Sequence, residues 1–180
     1  FRRVLFRSLA HRAGIPNLPP ESVVLDLLAH PDRVIDILAR ARPSGRPGRW
    51  LAYHAVTGGF VLAEIVRRAT GRDIRDVLEK EIREPLGARW LSYGVRREDL
   101  DRVAVNACTG PPPPPPISGV LRRALGVGMR EVVDLSNDPR FLMGVIPAAN
   151  VVTTAEDLSA FYQCLLDQGS YKGARVFDPR

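Results

Sequence analysis

PGRWLAYHAVTGGFVLAEIVRRATGRDIRDVLEKEIREPLG occupies residues 47–87. It predicts two consecutive helices. The first runs from about Tyr53 to Thr70 and stops at Gly71, where a residue without a side chain can take the left-handed conformation that ends a helix. The second starts at Asp73 as N-cap, with Asp76 three residues on, a variant of the capping box. Its apolar positions Ile74, Val77, Leu78 and Ile82 keep helical spacing, and Pro85 is expected to end it. Helix formation explains neither a tyrosine at the front nor Gly58-Gly59 one turn later. Glycines there would let another backbone come close.

Upstream, HPDRVIDILARARPSG (residues 30–45) predicts a helix with Pro31 in its first turn and Val34, Ile37, Leu38 and Ala41 on one face. LAHRAGIPNLPP (residues 9–20) reads as a helix end, with Gly14 at C′ and Pro16 beyond it. Downstream, ARWLSYGV has strand character. The segment 101–136 gives no clear pattern. It holds six consecutive prolines, Pro111–Pro116, which supply no backbone donors and favour polyproline II. They read as an extended surface connector rather than as a proline-motif ligand, because no arginine-flanked ligand context accompanies them. VVTTAEDLSAFYQCLLDQGS predicts a helix capped by Thr153 or Thr154, with Leu158, Phe161, Tyr162, Leu165 and Leu166 as its apolar face. YKGARVFDPR reads as a short turn and strand.

Composition narrows the class. The 180 residues are 45% hydrophobic and 26% charged, a globular balance. No apolar run approaches the ~20 residues that cross a bilayer. Cys108 and Cys164 are far apart and read as two free thiols of a reducing compartment, which leans toward the cytoplasm. His11, His30 and His54 share no metal-ligand spacing with other donors, so neither a metal nor another cofactor is expected. His11 is expected to pack at a helix end, and His54 to bind a backbone group rather than take part in chemistry. The formal charge is +6, but the arginines are scattered along the chain and do not suggest a nucleic-acid partner. Half of that excess, Arg2, Arg3 and Arg7, lies in residues 1–8. Arg-Arg-Val-Leu-Phe-Arg-Ser is similar to the translation of a common sequencing adapter. Residues 1–8 are therefore expected to be non-native, and residues 9–180 to form part of one domain.

Four segments in order carry a family resemblance. LAHRAGIP resembles a Leu-Leu-x-His-x-(Ser/Ala)-Gly-Leu-Pro stretch, and the segment from Pro47 resembles Pro-Gly-x-x-x-x-Tyr-(Ser/His)-(Asn/Ala) with its glycine-bearing helix. EPLG resembles the Pro-Leu-Gly end of the next helix, and TTAEDLSAF a Thr-Ala-x-Asp-Leu-x-x-Phe helix. Together they resemble the serine β-lactamase and penicillin-binding-protein-like family, in its class C-like esterase and D-Ala-D-Ala carboxypeptidase branch. The resemblance implies an α+β fold, of which this chain holds the mostly helical lobe of a β-lactamase/transpeptidase-like domain while the main antiparallel sheet is largely missing.

The resemblance also implies a function. A serine hydroxyl needs a base to become a good nucleophile. In this family Ser-x-x-Lys supplies serine and lysine, and the tyrosine matched by Tyr53 relays the proton to the leaving group. At Ala55 many members carry an asparagine whose amide helps hold substrate. Ala55 lacks that donor and acceptor, which makes it a weakened substrate-binding position and leans the reading toward esters. Neither Ser-x-x-Lys nor the family's Lys-Thr-Gly or His-x-Gly strand occurs in the chain. The expectation is thus a fragment of a serine hydrolase. It would act through an acyl-enzyme on a small-molecule ester, amide or lactam, and be inactive by itself. The alternative is a non-catalytic helical binding module that keeps the hydrolase scaffold.

Overall fold

The computed structural model describes residues 2–19 and 25–179. The order of elements is α1 (Arg2–Leu9), α2 (Leu25–Leu28), α3 (Pro31–Arg40), α4 (Val56–Thr70), α5 (Ile74–Leu78), a π-helical turn (Glu79–Arg83) and α6 (Glu84–Leu86). Then come β1 (Ser92–Tyr93), a 3-10 helix (Arg97–Arg102), α7 (Ile117–Leu125), α8 (Met129–Ser136) and α9 (Pro139–Met143). The described chain closes with β2 (Val151–Val152), α10 (Ala155–Leu166), β3 (Ser170–Tyr171) and β4 (Ala174–Arg175). The only sheets among the described residues are two antiparallel pairs, β1 with β2 and β3 with β4. This is a helical α+β lobe in which a main sheet is largely missing.

Two apolar clusters hold the lobe. The first packs Val34 and Leu38 of α3 against Phe60 of α4, Leu27 and Leu28 of α2, Leu18 and Ile146. The second gathers Leu86, Leu91 and Cys164, with Phe161, Tyr171 and Phe177 against them. Helix α3 forms where its periodicity places it, with Pro31 in the first turn, where a missing N–H costs nothing. The cap of α5 is as expected: the Asp73 carboxylate accepts from the Asp76 N–H at 2.9 Å. Thr154, rather than Thr153, caps α10 by accepting from the Asp157 N–H. The β3–β4 hairpin turns on Lys172 and Gly173, both with positive φ, the geometry that matches strand twist.

Several expectations need correction. Pro85 does not end its helix. The chain winds through a π-helical turn, in which Glu84 N–H reaches back to the Glu79 carbonyl, and stops at Gly87 in the left-handed conformation. The wider turn tolerates a proline that has no N–H to give. Helix α1 ends at Leu9, and its left-handed C′ residue is His11 (φ 54°), not Gly14. His11 N–H bonds Ser8 O and Arg12 N–H bonds Arg7 O, the paired bonds of a Schellman ending. Strand character in residues 88–95 is confined to Ser92–Tyr93. The stretch that gave no pattern holds two helices, α7 and α8.

Helix α10 forms where its pattern places it, but its apolar face is largely uncovered. Of its apolar residues only Cys164 is fully buried, and Phe161 packs beside it. Leu158, Tyr162, Leu165 and Leu166 face outward, Leu166 with 77% of its surface exposed. The helix thus leaves an apolar stripe at helical spacing uncovered among the described residues.

Candidate active site

Helix α4 begins at Val56, three residues later than its pattern suggests. Residues 52–54 instead form a strap tied to the end of α1. Ala52 N–H bonds the His11 carbonyl at 3.0 Å, and His54 N–H bonds His11 Nδ1 at 3.1 Å. His11 therefore does pack at a helix end, where its backbone and its ring both hold the strap. Its ring also lies 4.9 Å from that of Tyr53, tilted by 51°.

Tyr53 stands on this strap with 58% of its surface exposed. It does not cap a core with its ring. No protein group among the described residues hydrogen-bonds its hydroxyl. Trp50 and Leu51, both exposed, precede the strap in the chain. Ala55 occupies the N-cap of α4 and offers no side-chain cap.

His54 points the other way and is buried, with 4% exposed. Its Nδ1–H donates to the Ala52 carbonyl at 2.5 Å, and Nε2 accepts from the Ile15 N–H at 3.2 Å. That pair of bonds fixes a neutral imidazole with the proton on Nδ1. Burial lowers the His54 pKa. The Ala52 carbonyl acts in the opposite sense, and the nearby His11 lowers it further. The ring lines a largely apolar groove of about 420 Å³ between α1, α3 and α4. That groove does not include Tyr53. His54 is a fastener between the 13–15 turn and α4, as the sequence reading expects.

A stability consequence follows with a definite sign. Below its ordinary value of 6.5, His54 binds a proton more readily in the unfolded chain than in the fold. Stability is then intact above pH ~6.5 and declines as pH falls from there toward the lowered folded pKa. Urea midpoints measured from pH 7.5 to pH 5 should fall for the native sequence. In His54→Gln that decline should be smaller; an unchanged decline would remove His54 as its source.

Thr57 locks the same corner by donating from Oγ1 to the Ile15 carbonyl at 2.8 Å. The two glycines behave differently. A Cβ on Gly59 would stand 2.7 Å from both Cβ and N of Ala148, so this position admits the close approach of another segment. A Cβ on Gly58 would meet only His54 at an ordinary 3.4 Å. The backbone-approach expectation holds for Gly59 and fails for Gly58.

Sequence reasoning missed the hub on which the other end of this segment hangs. Asn150, with 3% exposed, accepts from the Ile146 N–H through Oδ1 and donates through Nδ2 to the carbonyls of Phe141 and Gly144. Arg75 ties β1 to the same loop, donating to Tyr93 O at 2.6 Å, Met143 O at 2.8 Å and Gly144 O at 3.0 Å. Gly94 fits between them, since a Cβ there would lie 2.4 Å from Gly144 O. The signal available was modest: Gly94 closes a short strand, and Asn150 precedes another.

Comparison with known proteins places this arrangement. The family model described as β-lactamase matches residues 9–177. The esterase/β-lactamase LipL of Mycobacterium tuberculosis is 28% identical, over 93% of this chain and 41% of its own length. A penicillin-binding protein homolog from Caulobacter crescentus superposes with a TM-score of 0.78 at 27% identity, covering 97% of this chain and 46% of that one. EstA from Arthrobacter nitroguajacolicus gives 0.72 at 26% identity, covering 94% and 46%. The chain thus spans less than half the length of these relatives. With a match across nearly all of its residues, the chain belongs to the β-lactamase family.

Proposed function

We propose that this chain is the helical lobe of a serine hydrolase that transfers an acyl group through an acyl-enzyme, with Tyr53 as the proton relay. The observation that carries the reading is the state of Tyr53. Its side chain is largely exposed and no protein group among the described residues bonds its hydroxyl, while the backbone on either side is held by His11. A group that must receive and return a proton needs that combination of accessibility and fixed placement. The serine and lysine of Ser-x-x-Lys would come from outside these 180 residues, and so would the strand that completes the oxyanion site.

Ala55 gives the substrate no amide at the position where many relatives carry one, which favours esters over peptides and lactams. The names of the relatives, esterase/β-lactamase and EstA, support a hydrolase of that kind. Residues 9–180 belong to the hydrolase domain and residues 1–8 stand outside it in this reading. A family match that begins at residue 9 favours the division, whereas the burial of Ser8 and the bonds from His11 and Arg12 back to Ser8 and Arg7 join α1 to the lobe.

A fluorophosphonate probe tests the proposal. In the full-length protein it should label one serine outside the present sequence, and the 180-residue chain by itself should stay unlabelled. Labelling of a serine within these residues, or no labelling of the full-length protein, would overturn it. The second outcome would favour a binding module on the same scaffold.

A further inference from the structure

Arginines that look scattered in sequence meet in one place. Arg75, Arg83, Arg89, Arg96 and Arg102 all line a cleft of about 410 Å³ beside β1 and the 3-10 helix. Only two carboxylates, Glu79 and Asp99, face them there. Glu79 is taken by Arg83. Asp99 is shared at long range, 3.5 Å from Arg96 and 3.7 Å from Arg102. Arg96 also pairs with Glu98. Arg75 spends its donors on three carbonyls, which leave its charge in place, and neither Arg75 nor Arg89 has a carboxylate within 4.0 Å among the described residues.

The positive groups are also held in position. Trp90 carries the Arg102 guanidinium 4.7 Å and the Arg89 guanidinium 5.3 Å from its ring centroid. The Trp90 backbone is itself pinned, its N–H donating to Asp157 Oδ2 at 2.6 Å. Guanidinium forks presented on a fixed aromatic platform suit a tetrahedral or multi-oxygen anion, which can accept several charge-assisted bonds at once. The cleft is of small-molecule size.

From this geometry we infer that the Trp90 cleft binds a small phosphate-bearing anion, with Arg89 and Arg102 as its principal contacts. This site is separate from Tyr53, which does not line the cleft, and it does not depend on the hydrolase reading. The surplus of guanidinium over carboxylate is the feature that structural ion pairing leaves unexplained.

Calorimetric titration of the full-length protein with inorganic pyrophosphate in ordinary saline buffer tests the inference. Saturable one-to-one binding is expected, weakened at least tenfold in Arg89→Ala/Arg102→Ala. Arg89→Ala alone, at an exposed residue whose one mapped side-chain contact is the indole, should weaken it at least threefold and keeps the test valid if the double variant fails to fold. Arg130→Ala, on α8 away from the cleft, should bind as the native sequence does. Absence of saturable binding, or equal affinity in Arg89→Ala, would overturn the inference. Citrate binding as tightly as pyrophosphate would overturn the phosphate assignment, and tighter binding of duplex DNA would replace a small-molecule site with a nucleic-acid surface.

Discussion

Replacing Tyr53 by Phe in the full-length protein should lower kcat for ester hydrolysis about 10²–10⁴-fold, the usual size of a lost acid–base partner. KM should change little, because the change removes one oxygen and keeps the ring that packs against His11. The hydroxyl is a safe place to cut. It is exposed, and no described protein group bonds to it, so the fold loses nothing when it goes. Steady-state kinetics together with a thermal melt separate the two possibilities. A large kcat loss at unchanged melting temperature is the expected result. A loss under threefold would assign Tyr53 to the surface and leave the relay to another group.

Asn150→Ala should have the largest effect on stability, about 3 kcal/mol, read as a lower urea midpoint. The estimate follows from three hydrogen bonds at roughly 1 kcal/mol each, in a place where water does not take over. The Ile146 N–H and the Phe141 carbonyl lose the Asn150 side chain. Gly144 O keeps a bond from Arg75, which moderates the cost. Ile146 belongs to the first apolar cluster, so loosening its turn also loosens the contacts of Phe60. Ala148, which lies against Gly59 of α4, sits in the same turn. A loss below 1 kcal/mol would mean that the loop is held mainly by Arg75 and by packing.

The parts of this fold that were legible in sequence are those set by neighbours along the chain. Pro31 and the Val34/Leu38 stripe define α3, Asp73 caps α5, Thr154 caps α10, and a turn and short strand follow within residues 171–180. The illegible parts are set by residues distant in sequence. Helix α4 starts late because His11 holds residues 52 and 54 from over forty positions away. Gly14 gives way to His11 as the end of α1, although glycine is the better left-handed residue, because His11 can fasten the strap as well as turn the chain. The π turn before Pro85 has no periodic signature.

Of the candidate site, Tyr53 and Ala55 were visible only through a family pattern, since a tyrosine before a helix means little by spacing alone. The roles of Asn150 and Arg75 were invisible, because hydrogen bonds to distant carbonyls leave no trace in hydrophobic periodicity. Helix α10 shows the converse error. Its apolar pattern is a stripe at helical spacing, but periodicity does not say how much of a stripe is covered, and Leu158, Tyr162, Leu165 and Leu166 stay exposed among the described residues.

A crystal structure of the full-length protein after reaction with a phosphonate ester would locate Tyr53 relative to the nucleophile. A single modified serine should appear with its Oγ within about 3.5 Å of Tyr53 Oη, close enough for proton transfer. A modified serine with Tyr53 Oη more than about 8 Å away, too far for one bridging water, would contradict it.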